Sequence, residues 1–389
     1  MCPDVLIEHV ENMTKIFRSG QFPDFYIRSA FPQDDPQLIR LATQKIDCGL
    51  FQLKLECKPS YLAVSQLQYN RSETKVIVLE KQPNFIVGML NIGWKYCFIN
   101  EQSDLIRYVS DLNIHPDYRG KNLIRFIMRF MQETWPENTI VQSVVPNQYS
   151  ILQKILYSGR SRFAKAEVYD EVYIYNLSQF SDHLKSKGFH FEVLTEDQLM
   201  AANAFIESMK SYYNFLPSYD LRALLSYEQP FWCGLKLTDF YLVYNKLHKI
   251  VGIYALWDQT QFKQATIEYY YYPYKIFRVL YNSLAKWTGC QYLPKSESII
   301  HYAHLHSVLC HPDHQEVFAS MLHHATLQMK KRRLSSLSFA LAKNDPRRQS
   351  LFGAKYYRMK AKHALHYFDE QKIAFLDATK INYFELSRL

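Results

Sequence analysis

Apolar and polar residues in the first half of the chain form patterns that predict strands and helices in a regular order. Alternating or continuous apolar runs predict strands at 25–28, 75–80, 85–99, 105–114, 140–145 and 168–177. Apolar residues at helical spacing predict helices over 34–46, 123–135 and 150–157. The order β-α-β-β-β-α-β-α-β is typical of an α/β (α+β) fold, with a mixed, mostly antiparallel sheet flanked by helices.

A second series of the same kind follows a polar bridge at 180–187. It predicts strands at 190–194, 240–244, 250–257, 264–272, 299–310, 334–342 and 360–368, with helices over 197–212, 274–287 and 318–332. Segment 50–67 fits neither pattern clearly. We therefore divide the chain into a helical lead-in (1–24), a first domain (25–179) and a second domain (188–389).

Short matching motifs indicate that the two domains are repeats. His115-Pro116-Asp117 and His311-Pro312-Asp313 each lie between a predicted strand and a predicted helix. Pro116 precedes Asn147 by 31 positions and Pro312 precedes Asn344 by 32, with each asparagine just after the next apolar strand. The shared order of elements predicts an internal duplication into two tandem domains.

Composition narrows the class of protein. At 389 residues and 48% hydrophobic content the chain is long enough for two packed domains. Its net charge is +9, but the basic blocks at 330–333 and 347–348 are short, so nucleic acid is not the expected partner; the first block is typical of a helix C-terminus. The seven cysteines include no Cys-x-x-Cys pair, which favours a reducing compartment and a cytoplasmic location. No apolar run is long enough to span a bilayer, so we expect no membrane partner.

The stretch 105–135 contains the strongest chemical signal. An apolar strand leads into a basic turn, Tyr118 to Asn122, and then into an amphipathic helix. This order places free backbone N–H groups, a helix N-terminus and two cationic side chains together, which suits a phosphate group.

The first half resembles the GNAT superfamily of acyl-CoA-dependent N-acyltransferases. Its strand ends in Ile114-His115-Pro116, and Arg119-Gly120-Lys121 matches a frequent form of the family's phosphate loop. Asn122 and Ile124 stand where the family signature has small residues. Asparagine accepts the left-handed backbone of such a turn better than most residues, whereas the branched Ile124 would crowd a phosphate.

The resemblance implies a transferase that moves an acyl group, most simply acetyl, from acetyl-CoA or another acyl-CoA to an amine. The backbone of Asn113 and Ile114 would pair with the pantetheine and polarise the thioester carbonyl. The pyrophosphate would be held by the loop residues Arg119, Gly120, Lys121, Asn122 and Leu123. Asn147 corresponds to a family asparagine, and its alternative role is to cap the following helix.

Two residues are the candidates for proton transfer. Asp111 occupies the position of a frequent family acid and is the candidate base; the alternative is an aspartate that orients a loop. The family's acid is often a tyrosine seven residues after the helix-opening asparagine, but that position is Lys154 here. Tyr157 is the nearest tyrosine that a bent helix would bring into place.

The second half departs from the family at the same loop. Residues 314–318 contain neither the arginine nor a glycine, and Glu316 would repel a pyrophosphate, so we expect no cofactor there. His301, His304, His306 and His311 could form a substrate pocket or ordinary core contacts. A zinc site with Cys310 is the remaining alternative, and we predict no metal.

Two other functions stay open at this point. The chain could be a non-catalytic CoA-binding or protein-interaction member of the superfamily, given the substituted small residues. It could also be a tandem aminoacyl transferase that takes its acyl group from aminoacyl-tRNA. The amine acceptor, a small molecule or a protein, is not identified by the residues.

Overall fold

The computed structural model describes residues 16–136, 139–157, 165–179, 188–226, 230–288, 293–352, 354–367 and 376–389. The strands of the first half are β1 (Phe17–Arg18), β2 (Phe25–Ser29), β3 (Gln44–Asp47), β4 (Phe51–Cys57), β5 (Arg71–Leu79), β6 (Gln82–Ile99), β7 (Gln102–Ile114), β8 (Val141–Pro146) and β9 (Lys165–Gln179). Its helices are α1 (Asp35–Ala42), α2 (Tyr61–Gln68), α3 (Leu123–Thr134) and α4 (Ser150–Tyr157).

The second half repeats this alternation. Its strands are β10 (His190–Val193), β11 (Tyr213–Asn214), β12 (Leu216–Pro217), β13 (Phe240–Tyr244), β14 (Ile250–Asp258), β15 (Lys263–Tyr270), β16 (Ile299–Ile300), β17 (Tyr302–Cys310), β18 (Ser336–Ala342), β19 (Lys355–Tyr367) and β20 (Ile381–Asn382). Its helices are α5 (Leu199–Ser208), α6 (Tyr274–Thr288) and α7 (Gln315–Lys331). None of the helices in the described residues is both long and apolar enough to cross a membrane.

A single mixed sheet runs through both halves. Within the described ranges its order is β1-β2-β5-β6-β7-β8-β19-β9-β18-β17-β14-β13-β10, and β12 pairs with β6. Most neighbours are antiparallel, while β7 with β8 and β17 with β18 are parallel. The predicted mixed, mostly antiparallel sheet flanked by helices is confirmed.

The closing strands of the two halves are exchanged at the centre of this sheet. β19 comes from the second half and pairs with β8, whereas β9 comes from the first half and pairs with β18. The two strands also pair with each other, from Lys355↔Gln179 to Tyr367↔Lys165. Each half therefore completes its sheet with a strand from the other half.

A four-stranded sheet, in the order β16-β15-β4-β3, links the halves a second time. Here β4 of the first half pairs with β15 of the second half, from Lys263↔Cys57 to Tyr270↔Phe51. The ambiguous segment 50–67 contributes β4 and α2 to this region, with Ser60 capping α2 by accepting a hydrogen bond from the Ala63 N–H.

Three element predictions need correction. The helix predicted over 34–46 ends at Ala42, and Gln44–Asp47 forms strand β3. The lead-in was expected to be helical, but Phe17–Arg18 is a strand paired with β2; residues 1–15 lie outside the described residues. The second-half helix begins at Gln315, three residues earlier than predicted. The polar bridge 180–187 also lies outside the described residues.

The helix that follows β7 is fixed by its apolar side. Leu123, Phe126, Ile127 and Phe130 of α3 are buried in one cluster with Leu90 and Ile92 of β6. This 3.6-residue periodicity is the pattern that predicted the helix. The packing holds the N-terminus of α3 next to the end of β7, where the candidate site lies.

Candidate functional site

A β-bulge interrupts β7 at Asp111. The pairing with β6 shifts between Met89↔Asn113 and Asn91↔Ser110, and Asp111 adopts a left-handed backbone with φ 50°. Aspartate tolerates this conformation better than most residues because its short polar side chain can bond locally. The bulge breaks the regular edge of β7 four residues before His115.

Beyond the bulge, β7 diverges from its parallel neighbour. The pairing of β7 with β8 consists of Arg107↔Val141 and Tyr108↔Gln142 and goes no further. Residues 109–114 are partly exposed, and no strand of the described residues pairs with the edge of this segment that faces β8. The two strands therefore enclose a wedge-shaped gap, which we call the first gap, whose closed end is at Tyr108.

The loop between β7 and α3 presents unpaired backbone donors at the mouth of the first gap. Among the described residues, the N–H groups of 120–124 have no hydrogen-bond acceptor. Gly120 has φ 81° and Asn122 has φ 58°, so both are left-handed, and the expected tolerance of Asn122 for this turn is confirmed. Consecutive free N–H groups at a helix N-terminus form an anion-binding arrangement.

The charges around this loop favour the same kind of ligand. Arg119 and Lys121 are exposed, and α3 has no acidic residue in its first turn. Arg119 donates from Nε to the Ile114 carbonyl at 3.3 Å, while the Lys121 Nζ lies 5.3 Å from the centre of the Tyr118 ring. Leu123 is buried beneath the loop, and Ile124 is partly buried in the same apolar cluster.

Asp111 is held by a residue that the sequence did not point to. The Tyr61 hydroxyl of α2 donates to Asp111 Oδ2 at 2.8 Å, and Tyr61 is 1% exposed. The buried position of Tyr61 and the adjacent carboxylate raise the pKa of its hydroxyl well above the usual value, so it remains a donor. No local pattern connects positions 61 and 111, because only the packing of α2 on the sheet brings them together.

Two tyrosines lie near the closed end of the first gap. The Tyr157 hydroxyl at the end of α4 is buried and has no hydrogen-bond partner of good geometry among the described residues. Burial raises its pKa to about 12, so the group is protonated at neutral pH. Tyr108 is 2% exposed, and burial also raises its pKa.

Lys95 of β6 is a second residue without a local sequence signal. Its Nζ lies 3.9 Å from the centre of the Tyr108 ring, and burial lowers its pKa to about 7. Lys95 lines a small, solvent-open pocket of about 30 Å³ together with Gln142 and Arg388. Because Gln142 is the last β8 residue paired with β7, this pocket adjoins the closed end of the first gap.

The other predicted site residues lie along the same gap. Asn113 donates from Nδ2 to the Asp111 carbonyl at 3.4 Å, and the Ile114 carbonyl accepts from Arg119. Asn147, at the end of β8, is exposed and its Oδ1 accepts from Gln153 Nε2 at 3.0 Å. Among the described residues, no helix N–H donates to the Asn147 side chain.

The second half contains the same bulge. Ser307 of β17 has φ 51°, and the pairing with β14 shifts between Ile253↔Leu309 and Ala255↔His306. Ser307 precedes His311 by four residues, as Asp111 precedes His115. The parallel pairing of β17 with β18 ends at His304↔Ser338, three residues before the bulge, as it ends at Tyr108 in the first half. We call the space beyond it the second gap.

Side chains fill the second gap. Arg347, 2% exposed, donates from Nη1 to the Val308 carbonyl at 2.9 Å, and the Tyr213 hydroxyl donates to the Cys310 carbonyl at 3.2 Å. Arg347 is also paired with Asp345 at 2.7 Å, and its guanidinium lies over the ring of Phe318. Burial opposes the charge of Arg347, but Asp345 offsets it and raises the pKa of the guanidinium further. Arg347 is therefore a buried plug and not part of a basic surface patch.

The described residues of the second half contain no counterpart of the basic loop at 118–122. Residues 315–318, predicted to form the equivalent loop, are the first turn of α7, and this turn contains Glu316. A helix that starts three residues after Pro312 leaves no room for the left-handed turn present at 120–122. The basic residues 330–331 lie in the last turn of α7, as expected from the helix dipole, and Arg332 pairs with Asp239 at 2.7 Å.

The second-half histidines do not converge on one point. His306 is fully buried among aromatic rings, including those of Tyr219 and Trp257, and its Nδ1 lies 2.8 Å from the Ser307 hydroxyl. Burial lowers the pKa of His304 to about 3. In the part of the chain that the structure describes, no three His, Cys, Asp or Glu side chains are grouped to hold a metal ion.

The fold has clear counterparts among solved structures, although no family model matches the sequence and no curated protein is significantly similar to it. Saccharomyces cerevisiae N-myristoyltransferase with bound myristoyl-CoA superimposes with a TM-score of 0.55 at 9% identity, covering 91% of this chain and 85% of that one. A GCN5-related N-acetyltransferase from Sphaerobacter thermophilus gives 0.50 at 12% identity, covering 92% and 98%.

A third counterpart is the GCN5-related glucosamine N-acetyltransferase region of a fungal multi-domain β-N-acetylglucosaminidase. Its TM-score is 0.54 at 13% identity, and the match covers 88% of this chain but 38% of that one. The protein therefore has the fold of the GNAT superfamily, as the resemblance at 105–135 predicted. At these identities the likeness defines the fold, and the chemistry has to be argued from the site.

Proposed function

We propose that the protein is an acyl-CoA-dependent N-acyltransferase whose cofactor binds in the first half of the chain. The open first gap carries this proposal, because an unpaired strand edge at 109–114 leads directly to the free N–H groups of 120–124. A pantetheine chain has amides that can pair with a strand edge, and its pyrophosphate is the anion that such a loop accommodates. Acetyl is the simplest acyl group; the size of the acyl group is set by the closed end of the gap.

The acyl transfer needs one base and one acid. In our proposal Asp111 removes a proton from the acceptor ammonium, and the free amine attacks the thioester carbonyl carbon. The C–N bond forms, the C–S bond breaks, and the leaving thiolate takes a proton from the Tyr157 hydroxyl. The nitrogen, now bonded to the acyl carbon, gives its second proton to the Tyr157 phenolate, so that one net proton leaves through Asp111. The backbone N–H of Ile114, on the gap side of β7, would stabilise the developing oxyanion, whereas the Asn113 backbone faces β6.

The acceptor would occupy the pocket beside Lys95, since this pocket adjoins the closed end of the gap. Lys95→Met is then expected to raise KM for the amine while leaving the Kd of acyl-CoA unchanged. An equal effect of the substitution on both constants would contradict this placement.

Calorimetry tests the cofactor site. Acetyl-CoA and longer acyl-CoAs are titrated into the wild type, into Arg119→Glu and into Gln315→Glu. Gln315 is the matched control because it follows His311 by four residues, as Arg119 follows His115. We expect binding to weaken by roughly tenfold or more in Arg119→Glu, since a charge beside a phosphate is reversed, and to stay unchanged in Gln315→Glu. No binding of any acyl-CoA to the wild type would overturn the proposal.

Release of CoA across a panel of amines tests turnover. Asp111→Asn keeps a hydrogen-bond acceptor for Tyr61 but removes the base, so kcat is expected to fall by roughly a hundredfold or more. Tyr157→Phe is expected to lower kcat with little change in KM. Tight acyl-CoA binding without CoA release on any amine would instead favour the non-catalytic binding protein. If acyl transfer required aminoacyl-tRNA, the aminoacyl transferase would be favoured.

A further inference from the structure

Helix α6 turns its apolar residues towards solvent. Six large side chains along it are between 53% and 88% exposed. They are Ile276, Phe277, Val279, Leu280, Leu284 and Trp287, which we call the α6 patch. Ile276, Leu280, Leu284 and Trp287 follow one another at helical spacing, so they form one stripe. An exposed apolar stripe of this size on a helix marks an interaction surface.

The opposite side of α6 attaches it to the protein through small and polar groups. Ala285 is 2% exposed, and the Arg278 guanidinium lies 5.8 Å from the centre of the Tyr270 ring of β15. The Asn282 amide donates to the Leu293 carbonyl at 2.9 Å and accepts from its N–H at 2.8 Å. These contacts fix the orientation of the helix, so the apolar side cannot turn inward without breaking them.

The charged residues of the segment that contains α6 are all basic, although Asp47 of β3 lies beside Tyr271, before the helix. Between 269 and 296 the sequence contains Lys275, Arg278, Lys286 and Lys295 and no aspartate or glutamate. Lys275 is exposed next to the α6 patch. The aromatic residue Tyr272, 82% exposed, lies just before the helix, and Trp287 lies near its end. Apolar side chains with tryptophan and tyrosine at the margins and lysines beside them are the composition of helices that lie in a membrane interface.

A second copy of the chain fits this surface less well. A twofold contact through the α6 patch would bring two basic regions together, in a protein with a net charge of +9. An anionic lipid surface, in contrast, is complementary both to the apolar stripe and to the basic residues.

We propose that α6 docks the protein on an anionic lipid bilayer, with the α6 patch inserted among the lipid headgroups and upper acyl chains. The helix lies in the plane of the membrane and does not span it. The proposal therefore revises the expectation of no membrane partner, which was based only on the lack of a spanning segment. This surface is separate from the first gap, and the proposal does not depend on the acyltransferase activity.

Co-sedimentation of the full chain with vesicles tests this proposal. Phosphatidylcholine vesicles with phosphatidylserine are expected to bind the protein, and pure phosphatidylcholine vesicles to bind it more weakly. High salt is expected to reduce the difference because it screens the lysines. The Trp287 side chain should leave water on binding, giving a blue shift of fluorescence that is absent in Trp287→Phe.

A pair of matched variants distinguishes insertion from charge alone. Leu280→Ser with Trp287→Ser removes two side chains of the α6 patch and is expected to weaken partitioning by roughly tenfold or more. Met200→Ser with Leu247→Ser removes two equally exposed apolar residues elsewhere, 78% and 76% exposed, and should bind like the wild type. Circular dichroism establishes that both double variants are folded.

Three results would overturn the proposal. The first is that the wild type does not co-sediment with vesicles that contain phosphatidylserine. The second is equal binding by the two double variants. The third is a wild-type dimer in light scattering that Leu280→Ser with Trp287→Ser converts to a monomer, since the patch would then be a protein interface.

Discussion

The two gaps of this protein have the same backbone geometry, but the first is open and the second is filled by side chains. Each begins where a parallel strand pair separates, three residues before a left-handed bulge residue, Asp111 in one and Ser307 in the other. In the part of the chain that the structure describes, the first gap has an unpaired strand edge and a loop of free N–H groups. The second is occupied by Arg347 and Tyr213, which bond the carbonyls of Val308 and Cys310.

The difference shows that a conserved backbone shape does not guarantee a conserved site. The strand edge of the second gap still needs hydrogen-bond partners, because buried carbonyls without them are costly. The protein supplies these partners with its own side chains, and residues 305–310 are all buried as a result, while 109–114 are only partly buried. We propose that the second half is a duplicate of the first that exchanged ligand binding for structural support.

The largest expected effect is a loss of folding stability at low pH at the β8 seam, by which we mean the paired residues of β19 and β8. His363 lies 3.0 Å from Gln142 Nε2 and His366 2.8 Å from the Ser143 hydroxyl, both histidines being buried. Burial lowers the pKa of His363 to about 3, with Lys95 adding repulsion, and that of His366 to about 4. The unfolded chain binds these protons near the ordinary pKa of 6.5, so stability is full above that pH and falls as the pH drops towards 4.

We expect the two histidines together to reduce the free energy of unfolding by on the order of 5 kcal/mol between pH 7 and pH 4. Urea unfolding at several pH values measures this, and His363→Gln with His366→Gln should flatten the profile. His190→Gln, an exposed histidine, is the control that should leave it unchanged. The corresponding seam of β18 with β9 pairs Ala340 and Leu341 with Ile174 and Tyr173, so hydrogen exchange at low pH should increase first at the β8 seam.

The next largest expected effect is the loss of stability on removing the Arg347 side chain, which fills the second gap. Arg347→Ala leaves the carboxylate of Asp345, 3% exposed, without its cation and is expected to destabilise the protein by about 3–5 kcal/mol. Lys343→Ala in the same loop breaks an exposed pair with Glu171 and is expected to change stability by less than about 1 kcal/mol. Equal effects of the two substitutions in urea unfolding would contradict the buried-plug interpretation.

A smaller change in stability is expected from a substitution at Gly120, in the left-handed turn beside the first gap. Gly120→Ala places a side chain at φ 81° and is expected to lower stability by about 1 kcal/mol, although the surrounding space is open. Gly20→Ala, also in open space but without a positive φ, should change stability by about 0.5 kcal/mol or less. Thermal unfolding of the two variants separates backbone strain from crowding; identical melting temperatures would mean that the turn is not strained.

The stoichiometry of acyl-CoA binding should not respond to the charge at the second loop. We expect one acyl-CoA per chain in the wild type, and the same value in Glu316→Lys, because removing the acid does not open the plugged gap or restore the loop. Calorimetry gives the number directly. A second binding event in Glu316→Lys would show that charge alone had closed the second site.

Strands, helices and turns could be predicted where the residues that define them lie close together in the chain. The apolar periodicity of 105–134 predicts the strand and the helix, and Gly120 and Asn122 predict the turn between them. The loop and its resemblance to the GNAT signature could therefore be identified from the sequence. The strand at Phe17–Arg18 was missed because it is stabilised by contacts distant in the chain, namely pairing with β2 and packing of Phe17 on Phe126 and Phe130.

The sequence by itself determined most of the element order and the position of the basic loop at 118–122, since these depend on periodicity and turn residues that lie near each other in the chain. It indicated the mixed type of the sheet through that element order. Only the tertiary structure decided the exchange of β9 and β19, the hydrogen bond from Tyr61 to Asp111 and the plugging of the second gap by Arg347. Each of these joins residues that are dozens to hundreds of positions apart, and their pairing depends on how the sheet and helices pack, which no local pattern of residues encodes.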